Sequence, residues 1–167
     1  DLLFGLRKKL PAAPQAKPEK RFALVVAARN EAAVIGHLVD SLYGQDYSRE
    51  LYEVIVAPNN CTDDTAGAAR RAGAFVYERF DQVHKGKGYA MDYLFRRLKE
   101  EGKDCYDGYF VFDADNLVDA NFVAEMNRTF DQGYDAVTCY RNSKNFAANW
   151  ISAGYSIWFL REARFLN

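Results

Sequence analysis

Two patterns of hydrophobic positions alternate along the chain: short unbroken apolar runs, and stretches in which apolar residues recur every three or four positions. FALVVAA at 22–28 contains no polar position, the mark of a strand buried on both faces. It ends at Arg29, Asn30 and Glu31. Val34, Ile35, Leu38, Val39 and Leu42 then share a helical face, and Gly44 fits that helix's end. YEVIVA at 52–57 predicts a second strand, opening into the polar turn PNNCTDDT at 58–65, which can cap the helix that follows. That helix is rich in Ala and Arg and stops near Gly73. Phe75, Val76 and Tyr77 predict a short third strand, and 78–88 a polar loop ending in Lys85, Gly86, Lys87 and Gly88. Met91, Leu94, Phe95 and Leu98 follow at the spacing of a helix core face. Tyr109, Phe110, Val111 and Phe112 predict a fourth strand, with Asp113 and Asp115 at its end. Phe122, Met126 and Phe130 mark a further helix, and DAVTCY at 135–140 a fifth strand.

Strands alternating with helices imply an α/β fold, a three-layer α/β/α sandwich with a mainly parallel sheet and a Rossmann-like nucleotide-binding half. Right-handed crossovers bring all strand ends to one rim, where such sheets bind ligands. Residues 29–31, Asn59 with Asn60, 85–88, and Asp113 with Asp115 all fall there. Four polar loops converging on one edge is a stronger signal than any one of them.

Composition narrows the class. With 49% hydrophobic and 27% charged residues the chain is globular, and its formal net charge of −1 gives no overall case for nucleic acid. Three cysteines (Cys61, Cys105, Cys139) without a Cys-x-x-Cys pair argue against a disulfide framework or zinc site and fit a reducing, cytoplasmic setting. Pro11, Pro14 and Pro18 make residues 1–20 a tail and linker. The apolar start of that tail is too short and too charged to span a bilayer; the alternatives are an ordinary tail or the cytoplasmic flank of a membrane segment.

The candidate chemistry centres on Asp113-Ala114-Asp115. Two carboxylates one residue apart repel and lose hydration at a sheet edge unless a cation or hydrogen bonds offset the cost. Oxygen ligands of this kind suit Mg2+ or Mn2+, and such an ion would hold a diphosphate. By themselves the two acids fit helix capping equally well. Lys85 and Lys87 alone read as a solvated loop, although the glycines around them permit close backbone approach. Asn59 and Asn60 are turn residues by type, and Asp63, Asp64 and Glu31 suit helix starts. His37 reads as a surface residue, His84 as a loop residue with phosphate contact as its lesser alternative, and Asp119 as a cap before Asn121 and Phe122.

As an ordered set, Ala27-Ala28-Arg29-Asn30-Glu31, Asn59-Asn60-Cys61-Thr62-Asp63-Asp64-Thr65, residues 85–88 ahead of Ala90-Met91-Asp92, and Asp113-Ala114-Asp115 resemble the N-terminal half of an inverting family-2 glycosyltransferase of the GT-A fold, over roughly 21–141. The resemblance implies a nucleotide-sugar-binding domain at 21–145. Asp115 would coordinate the metal that bridges the donor phosphates, and Asp113 the ribose or a metal-bound water. Ala28, Arg29, Asn30 and Glu31 would wrap the nucleoside, with Asn60 and Ala114 in the same site. Lys87 would sit near the diphosphate, with Lys85 the weaker candidate, and Gly88 would belong to the same site. Asn59 stands where the family usually carries Asp; its amide oxygen can still accept a hydrogen bond from the base, without the charge.

The implied activity is sugar transfer, of hexosyl or N-acetylhexosaminyl type, with inversion, from a UDP-sugar to an acceptor hydroxyl on a saccharide, lipid or protein, with Mn2+ or Mg2+. The family's acidic base motif lies after the fifth strand. None follows Tyr140, so the catalytic base is unassigned and the chain is expected to carry the donor half of a truncated catalytic domain. Residues 146–167 are expected to form an apolar helical segment at the start of the acceptor part. Trp150, Ile151, Tyr155, Ile157, Trp158 and Phe159 favour a core or interfacial helix, or a homodimer contact, while Arg161, Glu162 and Arg164 argue against a simple membrane span. Location at the inner membrane face is the matching expectation. The alternatives are a non-catalytic nucleotide-sugar-binding module and an aspartate-dependent phosphohydrolase. In the latter the acid pair normally ends the first strand and is closely followed by Thr, whereas here it ends the fourth and precedes Asn116-Leu117.

Overall fold

A computed structural model describes residues 19–139. β1 (Phe22–Ala28), β2 (Tyr52–Pro58), β3 (Phe75–Val76) and β4 (Gly108–Asp113) form one sheet in the order β3-β2-β1-β4, every pair parallel. The helices are α1 (Ile35–Tyr43), α2 (Thr65–Arg71), α3 (Lys87–Glu100) and α4 (Phe122–Phe130). The chain steps from β1 to β2 to β3 in one direction, which puts α1 and α2 on one face. It then crosses back to β4, which puts α3 on the other.

Alternate strand positions serve the two faces. Ala23, Val25, Ile55 and Ala57 pack with Leu94 and Leu98 of α3. The opposite parity carries the aromatic cluster of Phe22, Phe110, Phe112, Phe122 and Phe130, which seats α4. The buried Gln45 amide ties the end of α1 to the entry of α4, accepting from Val123 N at 3.0 Å and donating to Asp119 O at 2.9 Å. The result is the expected three-layer sandwich.

Three details differ from the pattern reading. α3 begins at Lys87, so Lys87 and Gly88 lie in its first turn rather than in the loop. Phe95 is exposed and lies edge-on to Tyr109, while Ala90 takes the buried position. Residues 135–139 carry no strand: a strand persists only where a neighbour completes its ladder, and among the described residues none pairs with this segment. The chain divides into two compact units, Asp1–Asp131 and Gln132–Asn167. The expectations for the tail before residue 19, for Tyr140 and for the 146–167 segment with its dimer contact lie outside the described residues. Among the described residues no helix is long and apolar enough to cross a membrane.

Candidate nucleotide and metal site

The sheet register builds the rim. Ala28 lies opposite Pro58, and Ala27 opposite Asp113, so the ends of β1, β2 and β4 meet side by side. The loops after β1 and β2 are bonded to each other. Asn30, at φ 56°, accepts from Thr62 N at 2.8 Å and from Thr62 Oγ1 at 3.3 Å. Glu31 N donates to Thr65 Oγ1 at 2.8 Å, and Ala32 N to Asp63 Oδ2 at 3.1 Å. Asp63 Oδ1 also accepts from Thr65 N at 3.1 Å and from the Thr65 hydroxyl. That hydroxyl foremost, with backbone N–H groups, holds the Asp63 carboxyl below its ordinary range. Asp63 therefore serves the start of α2, as its position implied, and also joins the two loops. Asp64 makes no cap bond and pairs with Arg71 at 2.8 Å. Glu31 enters the first turn of α1 through its carbonyl, which accepts from Val34 N and Ile35 N.

Asn59 and Asn60 are both buried, at 6% exposure. Asn60, at φ 52°, forms a two-bond amide clasp with the backbone of Asp81: Nδ2 donates to Asp81 O at 2.9 Å and Oδ1 accepts from Asp81 N at 2.8 Å. Asn59 Oδ1 accepts from Arg79 Nη1 at 3.0 Å, and its Nδ2 donates to Gly86 O at 3.4 Å. Arg79, only 10% exposed, also reaches His84 O at 2.8 Å and Asp81 Oδ2 at 2.7 Å. Asp81 in turn accepts from His84 N, Val83 N and the His84 ring. These backbone donors first, then the imidazole and Arg79, bring the Asp81 carboxyl down to about 2.

Arg79 and Asp81 were not singled out from the sequence. Their partners lie about 20 residues upstream, and the only local signal is an Asp followed by a turn. Thr62, Thr65 and Cys61 were read as part of a turn and of the motif set, with no role of their own; Cys61 Sγ accepts from Asn30 N at 3.4 Å.

β4 ends in a tight turn, Asn116 N donating to Asp113 O at 3.1 Å. The Asn116 side chain accepts from Asp113 N at 3.1 Å and donates to Asp115 Oδ1 at 3.3 Å, so one amide orients the whole Asp113-Ala114-Asp115 segment. Ala114 is buried, while both acids are exposed. Neither carboxylate caps α4: Asp119 Oδ1 accepts from Asn121 N, and Asp119 O from Phe122 N. Lys87 Nζ reaches Asp113 Oδ1 at 2.5 Å. Among the described residues no three His, Cys, Asp or Glu side chains gather. The donor set nevertheless fits Mg2+ or Mn2+, which take one or two carboxylates and complete their shell with water and substrate phosphates. A cavity of about 180 Å³ lies at the opposite end of the strands between Arg21, Glu53, Tyr77, Leu98, Lys103 and Tyr106, and contributes nothing to this rim.

Comparison with known proteins bears on the fold and the family. A 4,4'-diaponeurosporenoate glycosyltransferase of Staphylococcus aureus (strain USA300) is 35% identical over 107 residues, which cover 64% of this chain and 25% of that protein. The mannosyltransferase PcManGT of Pyrobaculum calidifontis, solved in complex with GDP-Man and Mn2+, superposes with a TM-score of 0.68 at 26% identity, covering 88% of this chain and 44% of that one. TarS of S. aureus superposes with a TM-score of 0.54 at 16% identity, covering 74% of this chain and 39% of that one, a likeness of fold alone. The chain thus spans about a quarter of the length of the curated relatives it matches. The architecture is that of GT-A glycosyltransferases. Residues 18–166 match the family described as "Glycosyltransferase like family 2", nearly the whole length, and the chain belongs to that family.

Proposed function

We propose that this chain forms the donor- and metal-binding side of a glycosyltransferase that moves a sugar, with inversion, from a nucleotide-diphosphate donor to an acceptor hydroxyl, a UDP-sugar being the first donor to test. The observation that carries this reading is the β1–β4 register, which sets Asp113 beside Ala27 and so brings two exposed acids to the mouth of the 28–31 and 59–60 loops. A nucleotide sugar with a divalent ion is supported by the complex of the mannosyltransferase neighbour with GDP-Man and Mn2+. Three unpaired cysteines support a reducing, cytoplasmic setting, and we place the protein at the inner membrane face.

Breaking the bond between the anomeric carbon and the diphosphate leaves positive charge on the sugar and negative charge on the leaving group. Asp115 and Asp113 would hold Mn2+ or Mg2+ against the diphosphate, and the ion supplies Lewis-acid stabilisation of that leaving charge. Lys87 adds a second positive charge beside it. Ala28, Arg29, Asn30 and Glu31 line the nucleoside side with Asn60. Asn59 Oδ1 gives one lone pair to Arg79 and keeps the other for a base N–H. Inversion also needs a base on the far side of the sugar to take the acceptor proton, a role assigned to none of residues 19–139.

Calorimetric titration of UDP and of GDP, with and without Mn2+, tests this. The expected result is tighter binding with the ion, and loss of that dependence in Asp115→Ala. Equal affinity in both conditions overturns the reading. Sugar turnover by the intact protein separates a transferase from a binding module.

A further inference from the structure

Lys87 opens α3 directly after Gly86. Its Nζ lies 2.5 Å from Asp113 Oδ1, yet the two side chains are 47% and 60% exposed. An exposed pair of this kind contributes little to folding. Its consequence is local: a positive charge already rests on one of the two carboxylates that suit a divalent ion. The turn itself is held separately, because Asn116 bonds the backbone of Asp113 and the carboxylate of Asp115. Asp113 can therefore change partner while the turn keeps its shape.

We propose that Lys87 is an exchangeable counter-ion of the metal seat. It occupies Asp113 when metal and nucleotide are absent, yields Asp113 to the divalent ion when they bind, and transfers to the diphosphate. This rests on the proposed donor and metal site, and adds to it a source of coupling between the two ligands. Asp113 exchanges one cation for another, and Lys87 one anion for another. Metal alone has to displace Lys87, and nucleotide alone has to draw Lys87 off Asp113. Bound together, each removes the obstacle that the other meets, and each tightens the other by the same factor. For a surface pair of this type that factor is about two- to five-fold.

The intact protein is titrated with Mn2+ without nucleotide, free ion being read by electron paramagnetic resonance, beside Lys87→Met and Lys87→Arg. Lys87→Met is expected to bind Mn2+ about two- to five-fold tighter, and Lys87→Arg to stay near wild type. UDP and GDP are then titrated in the presence of chelator. Asp113→Asn is expected to bind them more tightly than Asp115→Asn does, because only the former releases Lys87 as well as removing a negative charge. In Lys87→Met/Asp113→Asn the gain is expected to shrink to that of Asp115→Asn. If Lys87→Met binds Mn2+ no more tightly than wild type while Asp115→Asn loses the metal dependence of nucleotide binding, the exchange is overturned and the metal site stands. If wild type binds no Mn2+ with or without nucleotide, both are overturned.

Discussion

The two halves of the rim are built in opposite ways. On the β1 and β2 side, Asn59, Asn60 and Thr65 are buried and Arg79 nearly so, and their polar atoms are bonded within the protein. Asn30 and Asn60 there hold left-handed backbone, at φ 56° and 52°, a conformation an ordinary residue adopts only at a cost. On the β4 side, two acids stand in solvent on one turn, held by Asn116 and, for Asp113, by Lys87. The difference follows from desolvation. Neutral amides and a paired guanidinium can be buried once their bonds are satisfied, whereas two neighbouring carboxylates cannot leave water without a cation. One half of the rim is held by buried bonds within the protein, whereas the other presents exposed carboxylates, which we propose take a divalent ion.

Substitutions separate the halves. Arg79→Ala strips partners from Asn59 and Asp81 and is expected to cost about 2 kcal/mol in urea denaturation, whereas Asp113→Asn is expected to change stability by less than about 0.5 kcal/mol. A tip variant as costly as Arg79→Ala would break the contrast. Binding should divide the other way. Asp115→Ala is expected to lower Mn2+-supported nucleotide affinity about tenfold or more, while Arg79→Ala weakens nucleotide binding equally with and without the ion in calorimetry. Backbone strain gives a smaller effect: Asn60→Ala should be about 1 kcal/mol less stable than Asn60→Gly, since both lose the clasp and only Gly tolerates the positive φ.

The smallest effect is the pH dependence carried by the Asp81 carboxylate. Its backbone donors, the His84 ring and Arg79 bring it to about 2 in the folded chain against an ordinary 3.8. The stabilisation is therefore complete above the ordinary value and is lost as pH falls towards 2. The stability gap between wild type and Asp81→Asn should be full above pH 3.8 and narrow below it; a gap independent of pH would remove the carboxylate's bonds to Arg79, Val83 and His84 from the stable half.

Much of this was legible along the chain because it is local. The unbroken run at 22–28 reads as a strand buried on both faces, and it is β1, hydrogen-bonded on both edges. Asp113 and Asp115 were legible because a strand end followed by acids is a local pattern, and crossover handedness brings strand ends to one rim. Other contacts were not legible because they join distant segments: Arg79 to Asn59, Asp63 to Ala32, Lys87 to Asp113. Type and position marked Asn59 and Asn60 as turn residues without showing that burial engages their amides. Residues 135–139 were read as part of a fifth strand, but among the described residues none pairs with them, and they form none.

The most direct test is anomalous scattering from crystals of the intact protein grown with Mn2+ and UDP or GDP. The expected result is one manganese peak within coordination distance of the Asp115 carboxylate and the diphosphate, with Lys87 Nζ moved from Asp113 to a phosphate oxygen. Nucleotide bound on the rim with no manganese at the β4 turn, or with both acids turned away from the diphosphate, would contradict the central claim.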